Sequence, residues 1–164
     1  MSKDQAQILD MGCGTGLVGQ YLKEEGFRQI DGVDASQGML DQARDKVAYR
    51  DLDELFLGTP DTFPTKYHGK YDFVTAAGIL ADNHLDCPVF IEMLAALKVG
   101  GIAIFTSRVE YLEQYGYAPF MANLVREGKW IELTKEVFTK YNNLQEQVGR
   151  FKPTECCIMA YQKL

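Results

Sequence analysis

Ile8-Leu9-Asp10-Met11-Gly12-Cys13-Gly14-Thr15-Gly16 places three alternating glycines behind an apolar run that leads into an aspartate. Glycine has no Cβ, so it takes left-handed dihedrals without a clash and lets a ligand come within van der Waals reach of the main chain. The stretch therefore reads as a strand ending near Asp10, a tight turn, and a helix starting near Leu17. Such a turn suits a nucleoside pressed against backbone.

Two ligand classes compete for it. Gly14-Thr15-Gly16-Leu17-Val18-Gly19 also reads as G-x-G-x-x-G, the dinucleotide signature. A pyrophosphate gains nothing from a carboxylate two residues ahead of its turn, and Asp10 would repel it. S-adenosylmethionine carries no phosphate, and its ammonium and sulfonium are cationic, so Asp10 attracts it at short range. Ile30-Asp31-Gly32-Val33-Asp34 reads as a second short strand, and the two oxygens of Asp34 suit the 2′ and 3′ hydroxyls of a ribose in either class.

Asp10-x-Gly12-x-Gly14-x-Gly16, then Gly32-Val33-Asp34-x-Ser36-x-x-Met39-Leu40, then Leu97-Lys98-x-Gly100-Gly101 resemble, in that order, the motifs of class I S-adenosylmethionine-dependent methyltransferases. Within that family the chain is most similar to the methyltransferase-like branch of the Williams–Beuren syndrome region, on Ile8 through Val18 and Gly32 through Leu40. The resemblance implies an α/β, Rossmann-like doubly wound sheet, mostly parallel with a C-terminal antiparallel hairpin. It implies S-adenosylmethionine as cofactor and S-adenosylhomocysteine as product.

The same resemblance carries the cofactor onto Asp10, Gly12, Cys13, Gly14, Gly16 and Asp34, with Ala35 and Met39 near the adenine. A Met on a helix stripe also reads as core. Beyond the third strand, Gly58 and Thr59 stand where the family meets the adenine amino group, with Asp61 close enough to replace Thr59; Ala77 ends the fourth strand. Family members acting on exocyclic or glutamine amines carry Asn/Asp-Pro-Pro-Tyr/Phe at that strand end. Here Ala76-Ala77-Gly78-Ile79 stands instead, which disfavours such acceptors. His84 is the candidate base, against an exposed loop histidine as the alternative, and Arg108, Tyr111 and Tyr115 are candidates for a substrate pocket. The family places one or two helices before its first strand, whereas seven residues precede Ile8 here. The expected fold is therefore N-terminally abbreviated and its pocket open.

The flanking pattern supports alternating strands and helices. Leu17, Val18, Tyr21 and Leu22 form a helical stripe that stops at Gly26, and Ser36 caps a second helix with Met39, Leu40, Ala43 and Val47 on one face. Leu55-Phe56-Leu57 and Tyr71 to Ala77 read as strands, with loop from Gly58 to Lys70. Pro88 opens a helix that Gly100-Gly101 ends before the strand Ile102 to Phe105. A helical segment from Tyr111 to about Glu127 precedes β-rich runs at Trp130 to Tyr141 and Glu155 to Gln162. Strands alternating with helices imply a sheet covered on both faces.

At 164 residues and 46% hydrophobic content the chain suits one domain, with 1–107 as the cofactor-binding half and 108–164 as the substrate-side and hairpin region. Cys13, Cys87, Cys156 and Cys157 include no C-x-x-C pair and are joined by 2 histidines, so neither a metal site nor a disulfide framework is expected. A net charge of −6 without a basic stripe disfavours nucleic acid and points to a small-molecule or protein acceptor. No leader and no apolar run of roughly 20 residues is present, so a cytoplasmic or nucleocytoplasmic protein away from membranes is expected, its oligomeric state open. The function expected is methyl transfer to an unidentified acceptor. A cofactor-binding form without turnover and, more remotely, an NAD-dependent oxidoreductase are the alternatives.

Overall fold

Parallel β1 (Gln7–Met11) and β2 (Gln29–Asp34) pair side by side, in the register Ile8 opposite Ile30 and Asp10 opposite Gly32. A computed structural model describes residues 1–81, 85–140 and 153–164. The remaining elements are α1 (Leu17–Glu24), α2 (Gln37–Asp45), β3 (Asp51–Glu54), β4 (Tyr71–Leu80), α3 (Val89–Ala96), β5 (Leu97–Arg108), α4 (Val109–Gln114), α5 (Tyr117–Arg126), β6 (Trp130–Lys140) and β7 (Thr154–Lys163). One seven-stranded sheet runs β3-β2-β1-β4-β5-β7-β6. Strands β1 to β5 pair in parallel, and β7 enters antiparallel between β5 and β6. This is the expected mostly parallel α/β sheet with a C-terminal antiparallel pair.

The core lies on one side of β4, β5 and β7. Phe90 of α3 meets Tyr117 of α5 edge-on at 5.8 Å and Trp130 at 5.8 Å, while Phe105 stacks on Tyr161 at 5.8 Å. Such ring pairs add roughly 0.5–1.5 kcal/mol each beyond area burial. The other face is less covered than the strand-helix alternation implied. Phe73, Ile102 and Ile104 are half-buried there, and Ile158, in the same face through its register with Thr106, is 36% exposed.

Several element boundaries differ from the sequence reading, each for a local reason. The third strand is Asp51–Glu54, pairing Asp31 with Asp51 through Asp34 with Glu54, and the apolar Leu55-Phe56-Leu57 follows it as loop. On α1 half of the apolar stripe points outward, with Leu17 53% and Tyr21 59% exposed while Val18 and Leu22 are half-buried, and Gly19 is the residue packed inward. Val47 lies beyond α2 at φ 51 and is exposed. Helix α3 stops at Ala96, since Leu97 is already extended and pairs with Tyr71. The segment expected as one helix is two, α4 and α5, broken at Gly116 with φ 72.

Asp31 of β2, 3% exposed, ties this half together. Its carboxylate accepts from Arg50 Nε at 2.9 Å and Nη2 at 2.8 Å, from Lys70 Nζ at 3.0 Å and from the Tyr71 hydroxyl at 2.9 Å. Burial pushes its carboxyl up, but these four donors outweigh burial and hold it below the usual carboxylate range. The Arg50 and Lys70 heads stay partly wetted, so Asp31→Asn is expected to lower stability by about 2–3 kcal/mol, under the value for a fully buried pair. A depressed folded pKa stabilises above the unfolded pKa. Denaturation curves should therefore show the full deficit at pH 7 and a shrinking one below about pH 4.

Candidate functional site

Gly12, Gly14 and Gly16 have φ of 68, 53 and 83, so all three sit in the left-handed region that the turn requires. The amides of Gly12 and Cys13 both donate to Val33 O, at 2.8 and 3.0 Å, which binds the turn to the end of β2. A Cβ on Gly12 would lie 2.1 Å from Ile79 Cγ2, so the close approach of β4 also demands glycine there. Asp34 closes the arrangement: its Oδ2 accepts from Gly14 N–H at 2.8 Å and its Oδ1 from Ser36 N–H at 2.9 Å. An ionised carboxylate has about four lone-pair sites, so each oxygen keeps one for a ligand hydroxyl.

Asp34, Ala35 and Gly12 line one side of a cavity of about 400 Å³. Leu55, Phe56, Leu57, Ile79 and Leu85 supply its apolar remainder. Phe56, 72% exposed, was read from sequence as a strand residue; only the early end of β3 reveals it as a wall of the site. A flat heteroaromatic ring with a diol matches this lining, polar at one end and apolar at the other.

Asp10 has a different place from the one expected. It is 1% exposed, and its oxygens accept from the Tyr49 hydroxyl at 2.8 Å and the Thr75 hydroxyl at 2.8 Å. Its carboxylate therefore braces the turn from beneath instead of facing the cavity. Burial pushes its pKa up to about 6, partly countered by the Tyr49 and Thr75 hydroxyls. Cys13 is 7% exposed, and burial pushes its thiol up to about 12, with Asp10 and Asp34 adding to the shift, which keeps it neutral.

Tyr49 was not singled out from sequence. Besides donating to Asp10, its hydroxyl accepts from Gly19 N–H at 3.1 Å. Its ring fills a niche that exists only because side chains are missing: a Cβ would meet it at 3.1 Å from Gly16, 2.2 Å from Gly19 and 2.9 Å from Gly32. The last glycine of the G-x-G-x-x-G reading thus admits a tyrosine. The signal was available as glycines at the inward positions of α1 and β2, but the chain gave no partner for them until Tyr49 arrived in space.

The remaining expected residues divide. Ala77 does not end the fourth strand as expected: β4 runs on to Leu80 past a register shift after Ala76, and Ala77 is exposed within that irregular stretch, beside Gly78. Met39 is 43% exposed on the first turn of α2, so it is not the core residue its stripe suggested. The Gly58 and Thr59 amides are occupied by the buried Glu92 carboxylate of α3, at 2.8 and 2.9 Å, and Thr59 Oγ1 accepts from Thr62 Oγ1 at 2.9 Å. Leu55 to Leu57, not Gly58 and Thr59, therefore form the cavity wall after the third strand. Burial pushes the Glu92 carboxyl up, opposed by those two amides. His84 lies outside the described residues.

A family profile described as a methyltransferase domain matches residues 8–101. Human methyltransferase-like protein 27 is 41% identical over 103 residues, covering 63% of this chain and 41% of that protein. The ribosomal protein L11 methyltransferase of Agathobacter rectalis is 29% identical over 154 residues, covering 85% of this chain and 46% of the relative. The chain thus spans less than half the length of either relative. In structure it is similar to a TehB-like S-adenosylmethionine-dependent methyltransferase from Corynebacterium glutamicum, with a TM-score of 0.66, 21% identity, and coverage of 100% of this chain and 83% of that one.

Tyr49→Phe keeps the ring in its niche and removes only the hydroxyl, leaving Asp10 Oδ2 and Gly19 N–H without that partner. The expected loss is about 1–3 kcal/mol in chemical denaturation, with the higher end at pH above 6 where Asp10 is charged.

Proposed function

The chain belongs to the methyltransferase-domain family, and we propose that it transfers a methyl group from S-adenosylmethionine to a small-molecule or protein acceptor. The observation that carries this reading is Asp34: a carboxylate clamped by Gly14 and Ser36 amides at the polar end of an otherwise apolar cavity. The donor set fits an adenosine. Asp34 would hold the ribose hydroxyls, Leu55, Phe56, Leu57, Ile79 and Leu85 would enclose the adenine, and the glycine turn would admit the ligand against backbone. Bound there, S-adenosylmethionine supplies an electrophilic methyl group on a positively charged sulfur.

What the protein contributes is alignment and exclusion of water, since an in-line displacement gains most from holding the partners at near-attack separation. Tyr49 and Asp10 hold the turn rigid beneath the ligand. Ala77 and Gly78, small and exposed, leave that stretch of β4 free of bulk, so an acceptor can approach across it. The topology departs from the dinucleotide-binding order, because an antiparallel β7 separates β5 from β6, and Gly19 serves Tyr49 instead of a phosphate. No observation favours the oxidoreductase reading.

Asp34→Ala is expected to weaken S-adenosylhomocysteine binding by about 1.5–3 kcal/mol in calorimetric titration, the range for hydrogen bonds to a charged group. An unchanged dissociation constant would remove Asp34 from the ribose site.

Asp10 gives a second test with a worked sign. Because its folded pKa of about 6 lies above the unfolded value, the fold gains stability as pH falls through 6. Its charge under the turn is lost over the same interval, so affinity for the cationic cofactor is expected to fall between pH 7 and pH 5. Titrations and melting curves across that range should move in opposite directions in the native chain, and Asp10→Asn should flatten both.

A further inference from the structure

A second cavity, of about 380 Å³, lies on the far side of the β4 end from the first. Gly78 and Leu80 line it where Ile79 lines its neighbour, so the one strand end borders both. The register explains its floor: Arg108 of β5 stands opposite Cys156 of β7, which stands opposite Phe138 of β6, and residues opposite one another in antiparallel strands share a face. Lys140, two residues beyond Phe138, is on that face as well. Tyr111 of α4 completes a wall against the Arg108 end.

Two features of this lining point to one chemistry. First, among the described residues it is lined by two cations and no carboxylate, in a chain whose net charge is −6. Second, the Arg108 guanidinium is held 5.2 Å over the Tyr111 ring. Stacking occupies the flat face of a guanidinium and leaves its N–H edge for a planar, bidentate partner. Among the described residues Glu110 is the acidic partner at that edge, at 3.3 Å, with both side chains well exposed at 44% and 59%. A solvent-exposed pair of this kind contributes little and yields readily to a better-placed anion. Phe138, Tyr111 and Leu80 supply apolar surface beside the charge, and the volume suits a small molecule.

We propose that this cavity receives the methyl acceptor, and that the acceptor is a small molecule with a flat apolar body and a carboxylate that Arg108 grips, with Lys140 adding attraction. The inference rests on the methyl-transfer reading for what the pocket is for, and on the pocket's own lining for what it binds. The acceptor's carboxylate is anchored at the β5 end, so its reacting atom is directed toward Gly78 and the cofactor cavity beyond.

The test uses 3-phenylpropionate as the probe, with its neutral amide and the corresponding amine as controls. Binding is followed by calorimetry and ligand-observed NMR, with S-adenosylhomocysteine titrated in parallel. The carboxylate is expected to bind at least about tenfold more tightly than the amide, with the amine weakest. Arg108→Gln should reduce the acid to the level of the amide while S-adenosylhomocysteine binding stays as in the native chain, which shows the variant folded. Lys140→Gln should give a smaller loss that disappears at high salt.

Equal binding of acid and amide, no binding by any probe at millimolar concentration, or an Arg108→Gln variant that keeps the preference would each overturn the proposal. So would a carboxylate-bearing peptide that binds where 3-phenylpropionate does not, since it would make the acceptor a protein. Failure of S-adenosylhomocysteine to bind, with the carboxylate preference intact, would instead defeat the methyl-transfer reading and leave an anion pocket standing.

Discussion

The Asp10 carboxylate, 1% exposed between the hydroxyls of Tyr49 and Thr75, is the constraint on which the glycine turn and the cavity beside it depend. A charge in that position is expensive to bury and is tolerated only while its partners stay in place. Thr75 comes from β4 and Tyr49 from the loop before β3, so one side chain links the strand next to β1 with the segment that crosses under the turn. Tyr49 then reaches Gly19, and its ring occupies the space left by Gly16, Gly19 and Gly32. The glycines so serve two masters: they permit the turn's left-handed dihedrals on one side and admit the tyrosine on the other.

Above this foundation the two ends of the site are built by different means. The polar end is made of backbone: Gly14 and Ser36 amides orient Asp34 before any ligand arrives. Preorganisation of this kind removes side-chain ordering from the free energy of binding. The apolar end is made by a strand that stops early, so that Leu55, Phe56 and Leu57 leave the sheet and face the cavity. Glu92 secures the loop that follows by accepting from Gly58 and Thr59, which keeps those apolar residues in place without contacting the cavity.

Much of the fold was legible because its signals are local. Glycine spacing and the Ser36 cap, whose Oγ accepts from Met39 N–H at 3.4 Å, each act over a few residues. Errors arose where a local pattern was indifferent to its neighbours. Leu55-Phe56-Leu57 has the composition of a buried strand, but the β2 register selects Asp51 to Glu54 for pairing and shifts the apolar run into the site. Leu17 and Tyr21 belong to a proper helical stripe, yet they are exposed while Gly19 faces inward, where a side chain would collide with Tyr49.

By itself, then, the sequence determined the α/β architecture, the glycine turn and the presence of Asp34 at its edge, because each follows from backbone dihedrals and short-range periodicity. Only the tertiary structure decided that Asp10 braces the turn instead of lining the cavity, that Tyr49 is its partner, and that Arg108, Cys156 and Phe138 share one face. Those facts depend on residues 39 positions apart, or on three strands brought into register. The physical reason is that a buried charge or a cross-strand row is defined by what packs against it, and no local pattern carries that information.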